Sequence, residues 1–409
     1  MKSSKGPQGT RREWLRSAAQ YASLPLAAKV GALAAFLPGT QALAAAQARS
    51  ARPLRIAAAW ENGSGYQVGV LDAGAAGSTR AATSELGIAA ALDVPTRAHG
   101  VLMEKGGTLL AVARRPGDWL LRWSVDGQPM QWAWIEPDRA FNGHVIASAD
   151  GKHLYTTESN LETGQGLIGV RDARSMEKLA EWPTHGMDPH ELLLDQDGSL
   201  IVANGGVPAL PETGRLKINL ERMDASVVRL DARHGPQSGS IMGQWRLPDP
   251  RLSLRHIAWG QDPASGTRLL GIALQAEHAD AASKQVAPVL AVFDGKHLKA
   301  VHAPQPLGGY GGDIAFADGC FAVSCPRANG VAWFRASAGA HPPAGHEDWL
   351  ALSKLPEACA LLSQDGHGRV WAAGRSEALA MAPQPAQGPR VLTSPGTVTV
   401  RVDNHWIQL

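Results

Sequence analysis

Residues 141–173 decide the fold, and they read FNGHVIASADGKHLYTTESNLETGQGLIGVRDA. They contain three short runs rich in β-branched and aromatic residues, HVIASAD, HLYTTE and GLIGVRD, separated by Asp150-Gly151 and by Ser159-Asn160. Runs of this kind, punctuated by Gly, Asp, Asn and Ser, predict strands joined by turns. A fourth run, MEKLAEWPT, follows before the pattern restarts at His190. Four antiparallel strands per unit predict one blade of a β-propeller.

The same unit recurs along the chain, and each copy opens with a polar residue that we expect at the head of its first strand. These residues are His99, His144, His190, His256, Asp313, Cys359 and His405. Their separations are 45, 46, 66, 57, 46 and 46 residues, and the two long intervals contain an insertion at about 207–225, in the fourth blade, and a polar loop at 276–285. Seven heads predict an all-β, seven-bladed propeller.

The two ends of the chain are complementary in this pattern. The first unit, near residues 54–72, lacks an opening strand, whereas the C-terminus ends with an unmatched run, HWIQL. We therefore expect the last strand to complete the first blade, because closing the ring covers edges that would otherwise be exposed.

The N-terminus predicts export. Residues 10–16, TRREWLR, resemble the twin-arginine signal, and an Ala-rich run then leads to a small-residue cleavage motif at Ala42-Leu43-Ala44. We expect a signal peptide at 1–44, a single propeller domain at 45–409 and a periplasmic location. The alternative for the N-terminus is an amphipathic helix. Lys29 and the many alanines make the run too weakly apolar for a stable membrane span, so none is expected after signal removal.

Charge and cysteine content exclude several classes of protein. The first 44 residues hold six basic residues and one acidic residue, so a net charge of +2 becomes −3 once they are removed. That balance gives no electrostatic basis for binding nucleic acid. The chain lacks C-x-x-C-H, which excludes covalent c-type haem. Residues 164–169 match G-x-G-x-x-G but enter a strand rather than a helix, so no nicotinamide cofactor is expected.

The seven head residues form a candidate metal site. The first strand of each propeller blade lines the central channel, so residues in equal register encircle the axis. Imidazole, carboxylate and thiolate suit transition metals such as iron, copper or zinc, and they also suit a non-covalent haem. Two to four of the seven residues would be ligands. The alternative is that each head is a turn residue that hydrogen-bonds to a neighbouring blade.

Further polar residues are expected at the same end of the channel. Glu158 and Glu191 are candidate catalytic groups, because either carboxylate can activate a metal-bound water. Forked hydrogen bonds from arginines can hold a carboxylate or phosphate ligand. The candidate ligand-binding residues are Arg114, Arg115, Asn204, Arg215, Asn219 and Arg327.

Several motifs together resemble the DUF1513 family of exported bacterial proteins, whose chemistry is unknown. They are NGH at 142–144, YTTESNLETGQGLIGVRD at 155–172, DPHELLL at 188–194, TGRLKINLERMDAS at 213–226, RHIAW at 255–259 and DNHW at 403–406. The resemblance covers nearly all of residues 45–409 and implies a seven-bladed propeller. It also implies a role in periplasmic iron or haem handling, because members are often encoded beside imelysin-type iron-uptake proteins.

These observations leave three hypotheses for the function. The first is a monomeric periplasmic propeller that binds iron, another transition metal or haem for an iron-uptake system. The second is a metal-dependent hydrolase or oxidoreductase that uses the same channel. The third is a docking scaffold without a cofactor, whose ring residues are hydrogen-bonded structurally.

Overall fold

The structure is a computed structural model, and it describes residues 54–63, 65–73, 86–207, 220–233, 235–338, 346–364, 368–374, 377–383, 390–393 and 400–409. The predicted signal peptide at 1–44 lies outside these residues, as does most of the predicted insertion at 207–225. Of that insertion, a short 3₁₀ turn at Leu220–Arg222 precedes the next strand.

The described residues form 28 strands. In the first half they are β1 (Leu54–Asn62), β2 (Gly65–Ala73), β3 (Leu86–Val94), β4 (Ala98–Met103), β5 (Leu109–Ala113), β6 (Trp119–Trp123), β7 (Pro129–Trp134), β8 (Arg139–Ala147), β9 (His153–Asn160), β10 (Gly166–Asp172), β11 (Lys178–Pro183), β12 (Pro189–Leu194), β13 (Ser199–Asn204) and β14 (Ser226–Asp231). In the second half they are β15 (Ile241–Trp245), β16 (Leu252–Gln261), β17 (Arg268–Ala276), β18 (Leu290–Phe293), β19 (Leu298–Val301), β20 (Ile314–Ala317), β21 (Cys320–Cys325), β22 (Gly330–Arg335), β23 (Trp349–Lys354), β24 (Ala360–Gln364), β25 (Arg369–Ala373), β26 (Ala378–Ala382), β27 (Arg390–Thr393) and β28 (Arg401–Gln408).

These strands form seven antiparallel sheets of four strands each, which confirms the seven-bladed propeller. Blade 1 has the order β28-β1-β2-β3, and blades 2 to 7 take the remaining strands four at a time in chain order. The last strand therefore closes the ring as predicted, with Trp406 opposite Ala58 and Ile407 opposite Ala57. The inner strands also contact one another in a circle, from β28 to β4, β8, β12, β16, β20, β24 and back to β28.

The core of the propeller lies between the blades. Seven apolar clusters occupy the seven junctions of the described blades, each built from the facing surfaces of two sheets. Trp119 and Trp123, for example, are fully buried between blades 1 and 2, and Trp406 is buried between blades 7 and 1. Because alternate side chains of a strand point to opposite faces, each inner strand packs into two junctions. This packing on both faces holds the inner strands in place around the axis.

The structure corrects two local expectations. The region predicted as a polar loop at 276–285 contains a short helix, α1 (Ala281–Val286), which Asp280 caps by accepting a hydrogen bond from the Ser283 amide. The unit-opening residues also do not all head their strands, because β8 begins five residues before His144 and β16 begins four residues before His256. Within the described residues, no helix has the length and apolarity needed to cross a membrane.

Candidate metal centre

Each of the five channel histidines lies where the pairing of its inner strand is interrupted. The register with the second strand shifts between Ala98 and Val101 around His99, and between Phe141 and Val145 around His144. It shifts in the same way around His190 and His256. In blade 1 the pairing passes from Val402 directly to Trp406, which leaves His405 unpaired. A bulge redirects a side chain, and here it turns five imidazoles away from the blade faces.

Two glycines let the first two of these bulges approach each other. Gly143 has φ of +108°, a conformation that favours glycine. A Cβ on Gly143 would lie 2.7 Å from Cδ2 of His99, and a Cβ on Gly100 would lie 2.4 Å from the carbonyl oxygen of Gly143. Neither position has room for a side chain, so the two glycines bring His99 and His144 together.

The imidazoles converge on the axis. Four of them, His99, His144, His256 and His405, each offer a ring nitrogen within 4.8 Å of the others, as a metal site requires. Their ring centroids are separated by 4.4 to 5.5 Å. His190 is beside this group, with Nε2 2.9 Å from Nε2 of His256. The Nε2 atoms of His144 and His405 are buried without a hydrogen-bond partner, so they are available to a ligand.

Carboxylates face the outer nitrogens of three imidazoles. Nδ1 of His99 is 3.8 Å from Asp403, Nδ1 of His144 is 3.7 Å from Glu191, and Nδ1 of His405 is 4.0 Å from Asp313. These separations exceed hydrogen-bonding distance. Each carboxylate nevertheless lies beside Nδ1, whereas the Nε2 atoms of His99 and His256 face each other at 3.4 Å. In metal centres, a carboxylate that accepts a hydrogen bond from the second ring nitrogen of a ligating imidazole orients that ligand and increases its basicity.

Burial sets the protonation of the site. Burial lowers the pKa of His99, although the nearby Asp403 acts to raise it. Burial lowers the pKa of the other four imidazoles well below the usual value, and neighbouring charges add to this effect. Neutral imidazoles keep the lone pairs that a metal needs. Burial also raises the pKa of Glu191 to about 8. It acts to raise the pKa of Asp403, but His99, Arg114 and Arg97 outweigh it and hold that pKa below the usual range.

Two of the seven predicted ring residues are not histidines, and both are outside the four-histidine group. Asp313 accepts hydrogen bonds of 2.8 Å from the amides of Ile314 and Leu361, so it links blades 6 and 7 while facing His405. The Sγ atom of Cys359 contacts the carbonyl oxygen of Ala373 at 3.4 Å. Burial raises the pKa of this thiol to about 12.

The two candidate catalytic carboxylates occupy different environments. Glu191 bridges blades, because it faces His144 and also accepts a 2.7 Å hydrogen bond from the Ile257 amide. Glu158 is fully buried within blade 3, 2.7 Å from Nη2 of Arg171 and 2.8 Å from Nζ of Lys178. These two ion pairs make Glu158 part of a structural cluster. Its backbone pairs with Phe141 and its carboxylate lies over Gly169, so it is inside the blade and not beside the imidazoles.

The candidate ligand-binding residues divide into four groups. Arg114 is close enough to His99 and His405 to act on the pKa of each. Arg115 forms an ion pair with Asp188. Asn204 and Arg327 are bonded elsewhere: Asn204 donates to the carbonyl oxygen of Thr184 at 3.0 Å, and Arg327 donates to that of Gly308 at 3.1 Å while covering the ring of Tyr310. Arg215 and Asn219 lie outside the described residues.

Sequence reasoning missed two residues of this region. Asp403 precedes His405 by two positions, so the run DNHW contained the signal for a carboxylate beside the last imidazole. Arg255 precedes His256 directly, and its side chain is 1% exposed in an ion pair with Asp188 at 2.9 Å. Strand alternation alone did not indicate either role, because both residues lie in bulges.

Fold and site together define a seven-bladed β-propeller whose axis is lined by a buried histidine cluster that is able to hold a metal ion. The chain belongs to a family of proteins of unknown function, DUF1513, whose model matches residues 92–409.

Solved structures share the fold at low sequence identity. Hydrazine synthase of Kuenenia stuttgartiensis aligns with a TM-score of 0.56 and 15% identity over 81% of this chain and 90% of its own. A protein from Lactobacillus plantarum aligns with a TM-score of 0.55 and 15% identity over 88% of this chain and 100% of its own. No curated protein matches the sequence. At this identity the likeness concerns the fold alone.

Proposed function

We propose that this protein binds one transition metal ion at the channel axis through His99, His144, His256 and His405. The observation that carries the proposal is the convergence of four buried ring nitrogens within 4.8 Å of one another. Four separate bulges build the cluster, and it leaves buried ring nitrogens without hydrogen-bond partners. A ring that served only to join blades would have those nitrogens bonded to neighbouring strands.

A single ion suits the site better than haem. The imidazole rings are 4.4 to 5.5 Å apart between centroids, which leaves no gap for a porphyrin among them. Neutral imidazoles bind iron, copper and zinc. We propose iron as the physiological metal, and a periplasmic role accessory to iron acquisition with imelysin-type partners, because the family resemblance associates such proteins with iron uptake.

Binding is a better-supported function than catalysis. Glu158 is held by Arg171 and Lys178 inside blade 3, and Glu191 faces the outer nitrogen of His144. Neither carboxylate stands where a metal-bound water would lie among the inner ring nitrogens. The raised pKa of Glu191 is the observation that favours an enzyme as the second candidate, since a carboxyl group with a pKa near neutrality can transfer protons.

Metal analysis tests the proposal. The protein is exported in its native host, purified without chelators, and its metal content is measured by mass spectrometry. One equivalent of a transition metal is expected in the wild type, and the His99→Ala, His144→Ala double variant should lose it. His297→Ala is the matched control, because His297 is exposed and its side chain pairs with Asp294. Equal metal content in the double variant and the wild type would refute the proposal.

A further inference from the structure

The guanidinium group of Arg255 has one bonded side and one free edge. Its Nη1 atom donates to Oδ2 of Asp188 at 2.9 Å, and Gly205 packs so closely there that a Cβ would lie 2.8 Å from Nη1. Nε and Nη2 are both buried without a partner, on a side chain that is 1% exposed. Leaving charged donors buried and unbonded costs free energy, so such an edge is a binding position.

Other arginines of this chain show what that edge binds. Arg122 uses Nε and Nη2 to hold Glu104, with both hydrogen bonds at 2.7 Å. Arg139 holds Glu181 through the same two atoms at 2.9 and 3.0 Å, and Arg246 holds Asp224 at 2.6 and 3.0 Å. In each pair two parallel N–H groups meet the two oxygens of one carboxylate. Arg255 presents the same pair of donors without the carboxylate.

The surroundings of Arg255 do not supply the missing group. Asp188 has φ of +53° and is shared by Arg115 and Arg255, so its two oxygens are already taken. Glu277 and Tyr310 act on Arg255 electrostatically, but neither hydrogen-bonds to the free edge. Arg255 also acts on the pKa of His190, which places it next to the histidine cluster. The bulge of β16 therefore holds two consecutive residues with different roles: Arg255 pairs with Asp188, and His256 joins the four-histidine group.

We propose that the Nε–Nη2 edge of Arg255 binds the carboxylate of a small organic acid beside the histidine cluster. The guanidinium donates one hydrogen bond from each nitrogen, and Asp188 holds the group in place from its other side. This inference stands on the free edge of Arg255 and does not depend on a bound metal.

Thermal unfolding in sodium acetate, compared with sodium chloride at equal ionic strength, tests this inference. Acetate should raise the Tm of the wild type in a saturable way, because a ligand that binds only the folded state stabilises it. Arg255→Lys keeps a cation beside Asp188 but lacks the fork, so it should lose the response. Arg246→Gln, whose edge is occupied by Asp224, should keep it.

Several outcomes would overturn the proposal. One is a wild-type Tm that acetate does not change, and another is an Arg255→Lys variant whose Tm rises as much as that of the wild type. A third is a Tm that inorganic phosphate raises and acetate does not. Should Arg255→Lys not fold, a crystal structure of the wild type grown in acetate decides: acetate on Nε and Nη2 supports the inference, and any other finding there contradicts it. The His99→Ala, His144→Ala variant should keep the acetate response, so failure of the metal proposal remains distinguishable.

Discussion

The Nε2 atoms of His190 and His256 lie 2.9 Å apart, so the two imidazoles share a hydrogen bond across the junction of blades 4 and 5. A neutral imidazole has one donor and one acceptor nitrogen, so one of these two Nε2 atoms carries the proton. A metal that His256 binds through Nε2 requires that nitrogen to be unprotonated and free of the hydrogen bond to His190. Metal binding through this nitrogen and the hydrogen bond to His190 therefore compete for the same atom.

This relationship predicts different effects of two neighbouring substitutions. His256→Ala removes a member of the four-histidine group and should weaken metal binding by more than about a hundredfold. Loss of a residue that only hydrogen-bonds to a ligand weakens metal affinity by up to about a hundredfold. His190→Ala leaves the group intact and removes a competitor for Nε2, so affinity should stay within about tenfold of the wild type. Competition titration against a chromophoric chelator measures both. An equal loss in the two variants would make His190 a full ligand and contradict this assignment.

The fold could be predicted from the sequence because its signals are local. Strand runs, turn residues and a near-constant spacing repeat seven times, and the unmatched HWIQL at the end required closure. The positions of His99 and His256 in the ring followed from that register. Their bulges did not follow, because a register shift depends on contacts between strands distant in sequence. The ion pairs of Glu158 and Arg255 could not be predicted for the same reason, because their partners Lys178 and Asp188 come from other strands and loops.

The carboxylate of Asp403 should increase metal affinity through His99. Asp403 is 3% exposed, accepts a 2.5 Å hydrogen bond from Arg97, and faces Nδ1 of His99. Asp403→Asn keeps the size of the side chain and removes the charge, so affinity should fall about 10–100-fold. The same chelator competition measures it, and thermal unfolding establishes that the variant is folded. Asp72→Asn, which alters a partly exposed pair with Arg55, serves as the control and should bind metal like the wild type.

An ion-pair cluster around Glu181, which lies on the outer strand of blade 3, should make stability sensitive to acid. Arg139 holds Glu181 in two hydrogen bonds and Lys178 adds a third at 2.7 Å, which lowers the pKa of Glu181 from 4.5 to about 2. Because the folded-state pKa is depressed, the contribution is complete above pH 4.5 and is lost as the pH falls toward 2. Solvent screening limits it to about 1 kcal/mol.

Denaturant unfolding at a series of pH values, from neutrality down to the lower of those limits, measures this contribution. Glu181→Gln should be less stable than the wild type near neutrality, and the difference should shrink as the pH falls. The exposed Glu177 lies in the turn before β11, so Glu177→Gln is a suitable control and should follow the wild type throughout. A difference for Glu181→Gln that stays constant with pH would exclude its ionisation as the cause.

Gly143 should be needed both for stability and for the metal site. Its φ of +108° is unfavourable for any other residue, and an added Cβ would lie 2.7 Å from Cδ2 of His99. Gly143→Ala should therefore cost about 1–3 kcal/mol of unfolding free energy from backbone strain and should also displace the imidazole, weakening metal binding. Gly164 separates the two effects, since it has φ of +73° with nothing within 4 Å of an added Cβ. Gly164→Ala should lose stability through its backbone and keep the metal affinity of the wild type. Should Gly143→Ala bind metal as tightly as Gly164→Ala does, the close approach of the two bulges would not be what positions His99.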